Sequence, residues 1–356
     1  MTVRLRVVLD QLAAPVDPDL AAASRDLARL LVEAAPAGCV VDAIAPAGAP
    51  LDVPGIAAEK RLARGRRELA AAWRMGMAPE DGLIHSPTLL APLVRHERPA
   101  AQTAVTVWDL RAWEAPEELP RGAAALEQAL LRRAQKHADA VVVPTHSVAE
   151  RLDAIAALRG RVRVIAGAPP EGFALPTDAE ARRRDLGLPP AFVAAAGTAA
   201  PSDGLARVFA AARAAGSDVV VLDVPERHVA SVRAIAEEAG LGAERVHPHG
   251  SLDRGDRAAV LGAAGAFLAG STRAVWPWRV VEAMTLGTPV IAIDADGHRE
   301  VVLDGGAVVR ADEMADALVA ALAGDPMSLG LRARDRSRAF SWHGAAEKVW
   351  QLHAEL

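Results

Sequence analysis

Short apolar runs alternate with longer helical stretches along almost the whole chain, and this alternation restricts the fold before any motif is read. "RLRVVLD", "CVVDAIA", "GLIHS", "AVTVWDL", "DAVVVPT" and "RVRVIAG" follow one another in the first half, with helical patterns at residues 20–35 and 126–137. A second series follows the proline-rich stretch "AGAPPEGFALPTD": "AFVAAAG", a helical pattern at 205–215, then "DVVVLDV", "RVHPHG", "GAFLAGS", "TPVIAI" and "GAVVR". Strands apolar at nearly every position are buried on both faces, which calls for parallel sheets covered by helices on each side. The simplest parse is α/β: two doubly wound parallel-sheet domains joined near residues 168–176 and facing a cleft.

Length agrees with two cores, since 356 residues exceed what one domain of about 150 residues needs. The 40 basic residues are outnumbered by 45 acidic ones, so there is no nucleic-acid footprint. The lone Cys39 cannot form an internal disulfide and sits in a strand-like run, which suits a reducing compartment. The N-terminal "MTVRLRVVLD" carries charges inside a strand pattern, and no run approaches the roughly 18 apolar residues of a membrane span. A cytoplasmic protein is expected. The basic cluster "EKRLARGRREL" reads as a solvated helical face, with approach to an anionic membrane surface or a phosphorylated acceptor as the alternative; peripheral contact at the inner face of the membrane or with a partner protein is the wider expectation. Abundant alanine blurs helix boundaries, because Ala fits either face.

In open parallel sheets, ligands bind outside the carboxyl ends of the strands. The segment "STRAVWPWRVVEAMTLGTPVIAIDADGHRE" supplies such a place: a loop, Pro277 in the first helical turn, the helical "RVVEAMTL", Gly287 as its stop and "TPVIAI" as the next strand. A helix N-terminus there offers free backbone N–H groups to an anion. An ordinary surface helix with a solvated Glu282 is the alternative on local pattern alone. His247 and His249 in "HPHG" lack the further ligands a metal site needs, so no metal is expected. "GTAAPSDG" lacks the Lys and Ser or Thr of a phosphate-binding Walker loop, and no G-x-G-x-x-G follows a strand.

The run "VVEAMTLGTPVIAIDADGHREVVLDGGAVV" resembles the donor-site segment of nucleotide-sugar-dependent glycosyltransferases with the GT-B fold, especially retaining family four, the glycosyl transferases group 1. "HSPTLLAP", "VTVWDL", "HADAVVVPTHSVAERL", "AAGTAAPSDGLARVFAA", "HPHGSLDRGDRAAVLGAAGAFLAGS" and "AFSWHGAAEKVWQL" extend the similarity, in the family's order, over most of the chain. The resemblance implies a Rossmann-like, acceptor-side domain at 1–168 and a nucleotide-sugar-binding domain at 169–336. A last helix at about 337–356 would return to the first domain. It implies transfer of a hexose, mannose or glucose, with retention, from a nucleotide diphosphate sugar to a small-molecule or lipid-linked acceptor, with no cofactor. Glu282 would contact the ribose, Gly197, Gly250 and Ser251 would border the nucleotide, and the backbone of 273–278, including Trp276, would meet the sugar and phosphates. His85 and Asp109 are the candidates on the acceptor side.

The departures bear on mechanism. Counting back from Glu282, the family's sugar-contacting Glu falls on Ala274. Its diphosphate-binding cations fall on Ser202 and Asp203, and the residue before Asp109, usually His, is Trp108. The loop "DQLAAPVDPD" also lacks the family's glycines. Retaining transfer on this fold needs no protein nucleophile but does need the leaving diphosphate's charge stabilised. Arg207, Arg273 and Arg279 are the replacement cations, with Arg279, near the helix N-terminus, the first choice. Two readings stay open: a working hexosyltransferase, or a catalytically degenerate GT-B protein that acts as a binding or scaffold partner.

Overall fold

The computed structural model describes residues 2–12, 17–48, 50–62, 66–75, 82–96 and 100–356. It divides into two compact units, the first Met1–Ala168 with Ser341–Leu356 and the second Pro169–Phe340.

The first unit holds seven strands: β1 (Val3–Val8), β2 (Cys39–Pro46), β3 (Glu59–Leu62), β4 (Leu83–Ser86), β5 (Gln102–Thr106), β6 (Ala140–Val143) and β7 (Val162–Val164). Their order is β3-β2-β1-β4-β5-β6-β7, and every pairing is parallel. Leu5 on β1 pairs with Val41 on one side and Leu83 on the other, so β1 is an interior strand, and Leu5 itself is 0% exposed. The helix Trp342–Glu355 belongs to this unit; Ser341 caps it by accepting from the Gly344 N–H, and Trp350 Nε1 donates to Leu31 O at 3.0 Å.

β3 corrects the sequence reading. The "EKRL" that opens the basic cluster is an edge strand rather than a helical face, with Glu59 opposite Ala43. Charges on an edge strand block pairing with another chain, and they erase the apolar pattern by which strands are recognised. Residues 63–65 of the cluster lie outside the described residues; a helix, Arg66–Arg74, follows.

The second unit holds β8 (Phe192–Ala196), β9 (Asp218–Leu222), β10 (Val246–Pro248), β11 (Phe267–Ala269), β12 (Val290–Ile293) and β13 (Ala307–Val309), ordered β10-β9-β8-β11-β12-β13 and again parallel. Val193, Val219, Val221, Leu268 and Ile291 from the strands bury against Val208 and Phe209 of the helix Leu205–Ala214. The strand order reverses between β8 and β11, and at such a point the loops leaving adjacent strands run apart and open a ligand site.

Candidate functional site

The loops after β8 and β11 meet at that reversal. Gly204, with φ +69°, has no room for a side chain: a Cβ there would lie 2.1 Å from Gly270 O. Thr272 N donates to Ser202 O at 3.1 Å, and Arg207 Nη1 to Gly270 O at 3.1 Å. Asp203 is 3% exposed. Its Oδ2 accepts from the N–H and hydroxyl of Thr198, at 2.6 and 2.9 Å, and its Oδ1 lies 2.8 Å from Arg273 Nη2. The carboxylate is therefore answered from within, by the arginine of the neighbouring loop. Gly197, at the start of the first loop, has φ +147° and packs on the Asp203 side chain, which leaves no space for a Cβ.

The helix Trp278–Leu286 starts after Pro277 and ends at Gly287, whose φ of +77° provides the left-handed stop. Its Glu282 is 0% exposed. Arg257, from the helix Arg254–Ala263, donates to both carboxylate oxygens of Glu282 at 2.9 Å, and Arg279 Nη1 adds a bond at 3.2 Å. Arg279 reaches on to Asp223, with bonds of 2.8 and 3.1 Å. Asp223 directly follows β9 with φ +64°, and its side chain is 33% exposed, the most open member of the chain Arg257–Glu282–Arg279–Asp223. Two arginines and two carboxylates balance. Arg257 is further held by Leu252 O and lies over the Phe173 ring at 5.8 Å.

These positions differ from the open contacts read from the sequence. The Glu282 carboxylate is turned to two arginines instead of outward, and Arg279 is 7% exposed and shared between two acids. The sequence reading missed Arg257; its signal was a lone arginine opening the apolar run "AAVL". Asp223 was missed too, although its place directly after a strand marked it. Ala274 is 4% exposed, within the packed wall. Trp276, 1% exposed, meets Trp278 and Phe340 edge-on, and its Nε1 has no hydrogen-bond partner among the described residues. Gly250 and Ser251 follow β10 at the surface, before the helix that Asp253 caps. His247 faces Asp218 at 3.4 Å, and burial, followed by His247, pulls the His249 pKa down. Among the described residues no group of three or more His, Cys, Asp or Glu is arranged to hold a metal ion.

In the first unit His85 is 1% exposed and stands edge-on to His353 of the last helix, ring centroids 5.7 Å apart. Burial and then the His353 charge push its pKa down to about 3, so the ring is neutral and enclosed. Asp109 accepts from the Arg111 N–H at 2.9 Å and shapes the start of the short helix Arg111–Glu114. Trp108 donates to Pro87 O at 2.7 Å and packs on Trp342. A buried polar group sits where this sheet's order reverses, after β1 and β4: Asp10, 1% exposed, accepts from Thr88 Oγ1 at 2.8 Å and from Gln11 Nε2 at 3.2 Å. The sequence reading noted this loop for its missing glycines and overlooked the acid.

Two parallel sheets of seven and six strands, each with polar residues gathered where the strand order reverses, define an α/β protein of the GT-B fold. Residues 183–327 match the family model of the glycosyl transferases group 1. No curated protein matches the chain. Solved structures share the fold over nearly its whole length. Sucrose-phosphate synthase from Thermosynechococcus elongatus is 22% identical with a TM-score of 0.73, covering 99% of this chain and 98% of its own. HepE from Anabaena, in complex with UDP and glucose, is 18% identical with a TM-score of 0.70 over 99% and 100%. WaaG, a glycosyltransferase involved in lipopolysaccharide biosynthesis, is 15% identical with a TM-score of 0.67 over 97% and 98%.

Proposed function

We propose that the chain transfers a hexosyl group, with retention, from a nucleoside diphosphate sugar held at the strand-order reversal of the second unit. The acceptor is a small or lipid-linked hydroxyl compound, and the first unit is assigned to it. The observation that carries this reading is the Asp203–Arg273 ion pair at 2.8 Å. A bare carboxylate at that place would repel a diphosphate; one neutralised by Arg273 and bonded to Thr198 does not, and Arg207 beside Gly270 adds a further positive charge. Cations fixed beside a leaving diphosphate stabilise the charge that grows on it as the glycosidic bond breaks.

Arg273 and Arg207 are the residues assigned to the diphosphate. Asp223 is assigned to the nucleoside hydroxyls, because it is the exposed acid of the network that Glu282 anchors. Glu282 and Arg279 act through Asp223 by position. HepE, which shares the fold, binds UDP and glucose, so UDP-glucose is the first donor to test. GDP-mannose is the second.

The scaffold reading is favoured by one observation: Ala274 stands in the packed wall with no polar group to hold the sugar. Release of nucleoside diphosphate from UDP-glucose or GDP-mannose by the native chain decides for the transferase. If the native chain turns over neither donor and Ala274→Glu with Asp203→Lys creates donor binding, the scaffold reading replaces it.

A further inference from the structure

The first unit carries an open cavity of about 660 Å³ at the end of its sheet where strands begin. Val94–His96 lie ahead of β5, Ala138–Asp139 lead into β6, and Arg159–Arg161 into β7. The cavity is thus at the opposite end of this sheet from the carboxyl ends of its strands, where substrates of such folds bind. The chain as a whole has a net charge of −5, yet four Lys and Arg side chains line this one hollow, with Asp139 and the terminal Leu356 also in its wall.

Two of the lining groups are spent on structure. Arg161 donates to Leu158 O, Ala138 O and Gln135 O, forming one wall. Asp139 accepts from the Thr103 N–H at 2.7 Å and lies 2.9 Å from His96 Nε2, so the acid is already answered. Arg95, Lys136 and Arg159 are left, and no ion pair among the described residues engages them. Arg159 adds an independent sign. Its φ is +52°, in the left-handed region that favours glycine, and Gly160 follows at +75°. An arginine kept in a backbone conformation that disfavours it, with the cavity beside it, points to a use for its charge. The His137 pKa is lowered by burial and then by Arg133, Lys136 and His96, as expected inside a positive field.

We propose that this cavity is a second binding site, separate from the donor site, for a phosphate-bearing anion held by Arg95, Lys136 and Arg159. Guanidinium and ammonium groups around one hollow match tetrahedral phosphate oxygens, and the open mouth admits either a free phosphorylated small molecule or a phospholipid headgroup.

His137 is a local reporter for the test. Imidazole resonances of the full-length chain, with His137 assigned through His137→Gln, are followed over pH in chloride and in inorganic phosphate at matched ionic strength. A parallel pair of samples holds phosphatidylcholine vesicles with and without phosphatidylglycerol. The bound anion should raise the His137 midpoint by about half a pH unit or more, because a nearby negative charge favours the imidazolium. The rise should vanish in the double variant Arg95→Ala, Arg159→Gly; glycine suits the backbone at 159, and an unchanged thermal midpoint verifies the fold. A rise with free phosphate assigns a soluble ligand, and a rise only on phosphatidylglycerol vesicles assigns a headgroup. No rise in any sample, or one that persists in the double variant, overturns the proposal.

Discussion

Arg257 and Glu282 are each nearly closed off from water, and either would be an uncompensated charge without the other. Removing one partner of such a pair costs about 3–5 kcal/mol, whereas replacing both by apolar groups is often near neutral. Arg257→Leu is therefore expected to lower unfolding stability by about 3 kcal/mol or more, and Arg257→Leu with Glu282→Leu to recover most of it; chemical denaturation of the three variants checks this. Losses below about 1 kcal/mol in the single variant, the range of surface pairs, would mean that the two side chains are solvated. Arg279→Ala should lower the thermal midpoint as well as turnover, because two acids depend on it. Arg273→Ala should reduce turnover at least about 30-fold, near 2 kcal/mol, in a steady-state assay of diphosphate release. Little of this was legible in the sequence. Glu282 stood out as a motif residue, but that its charge is met by Arg257 depends on two helices brought side by side by the sheet.

The helix Trp342–Glu355 lays His353 against His85 of β4, and both imidazoles are neutral in the folded protein, His85 at about 3 and His353 at about 4, chiefly through burial. In the unfolded chain each titrates near 6.5. The folded-state values are depressed bases, so between about 6.5 and 4 the unfolded state binds more protons. Stability is full above pH 6.5 and falls with acid, with a slope of about 1.4 kcal/mol per pH unit for each histidine. His85→Phe should flatten urea-unfolding stability against pH by about one proton over that window; an unchanged slope would mean that His85 is solvated. Elements themselves were the most legible level. Apolar runs marked most of the strands and Gly287 marked a helix end, while β3, being charged and at the edge, carried no such pattern. The pairing of His85 with His353 joins the fourth strand to the last helix, which no local pattern connects.

Over the whole molecule, the resemblance spanning most of the chain made the GT-B fold legible, and the acid at position 203 raised the question of charge. Arg273 was among the replacement cations read from the sequence, but its direct pairing with Asp203 was not legible, because the two residues come from different loops. Around the reversal of the second sheet these ion pairs cancel: Asp203 with Arg273, and Asp223 and Glu282 with Arg279 and Arg257, with Arg207 in addition. So small an excess of positive charge predicts nucleotide binding that weakens with salt. With Ala274 lacking a polar group for the sugar, UDP and UDP-glucose should bind within tenfold of each other, about 1.4 kcal/mol.

Calorimetric titration of UDP and UDP-glucose into the native chain and into Arg273→Ala addresses the assignment of the donor site at its root. The arrangement of Arg273, Asp203 and Arg207 predicts that both ligands bind the native chain with similar affinity and that Arg273→Ala weakens both at least about tenfold. Native affinity retained in Arg273→Ala would contradict it, as would a native chain that binds neither these ligands nor GDP and GDP-mannose.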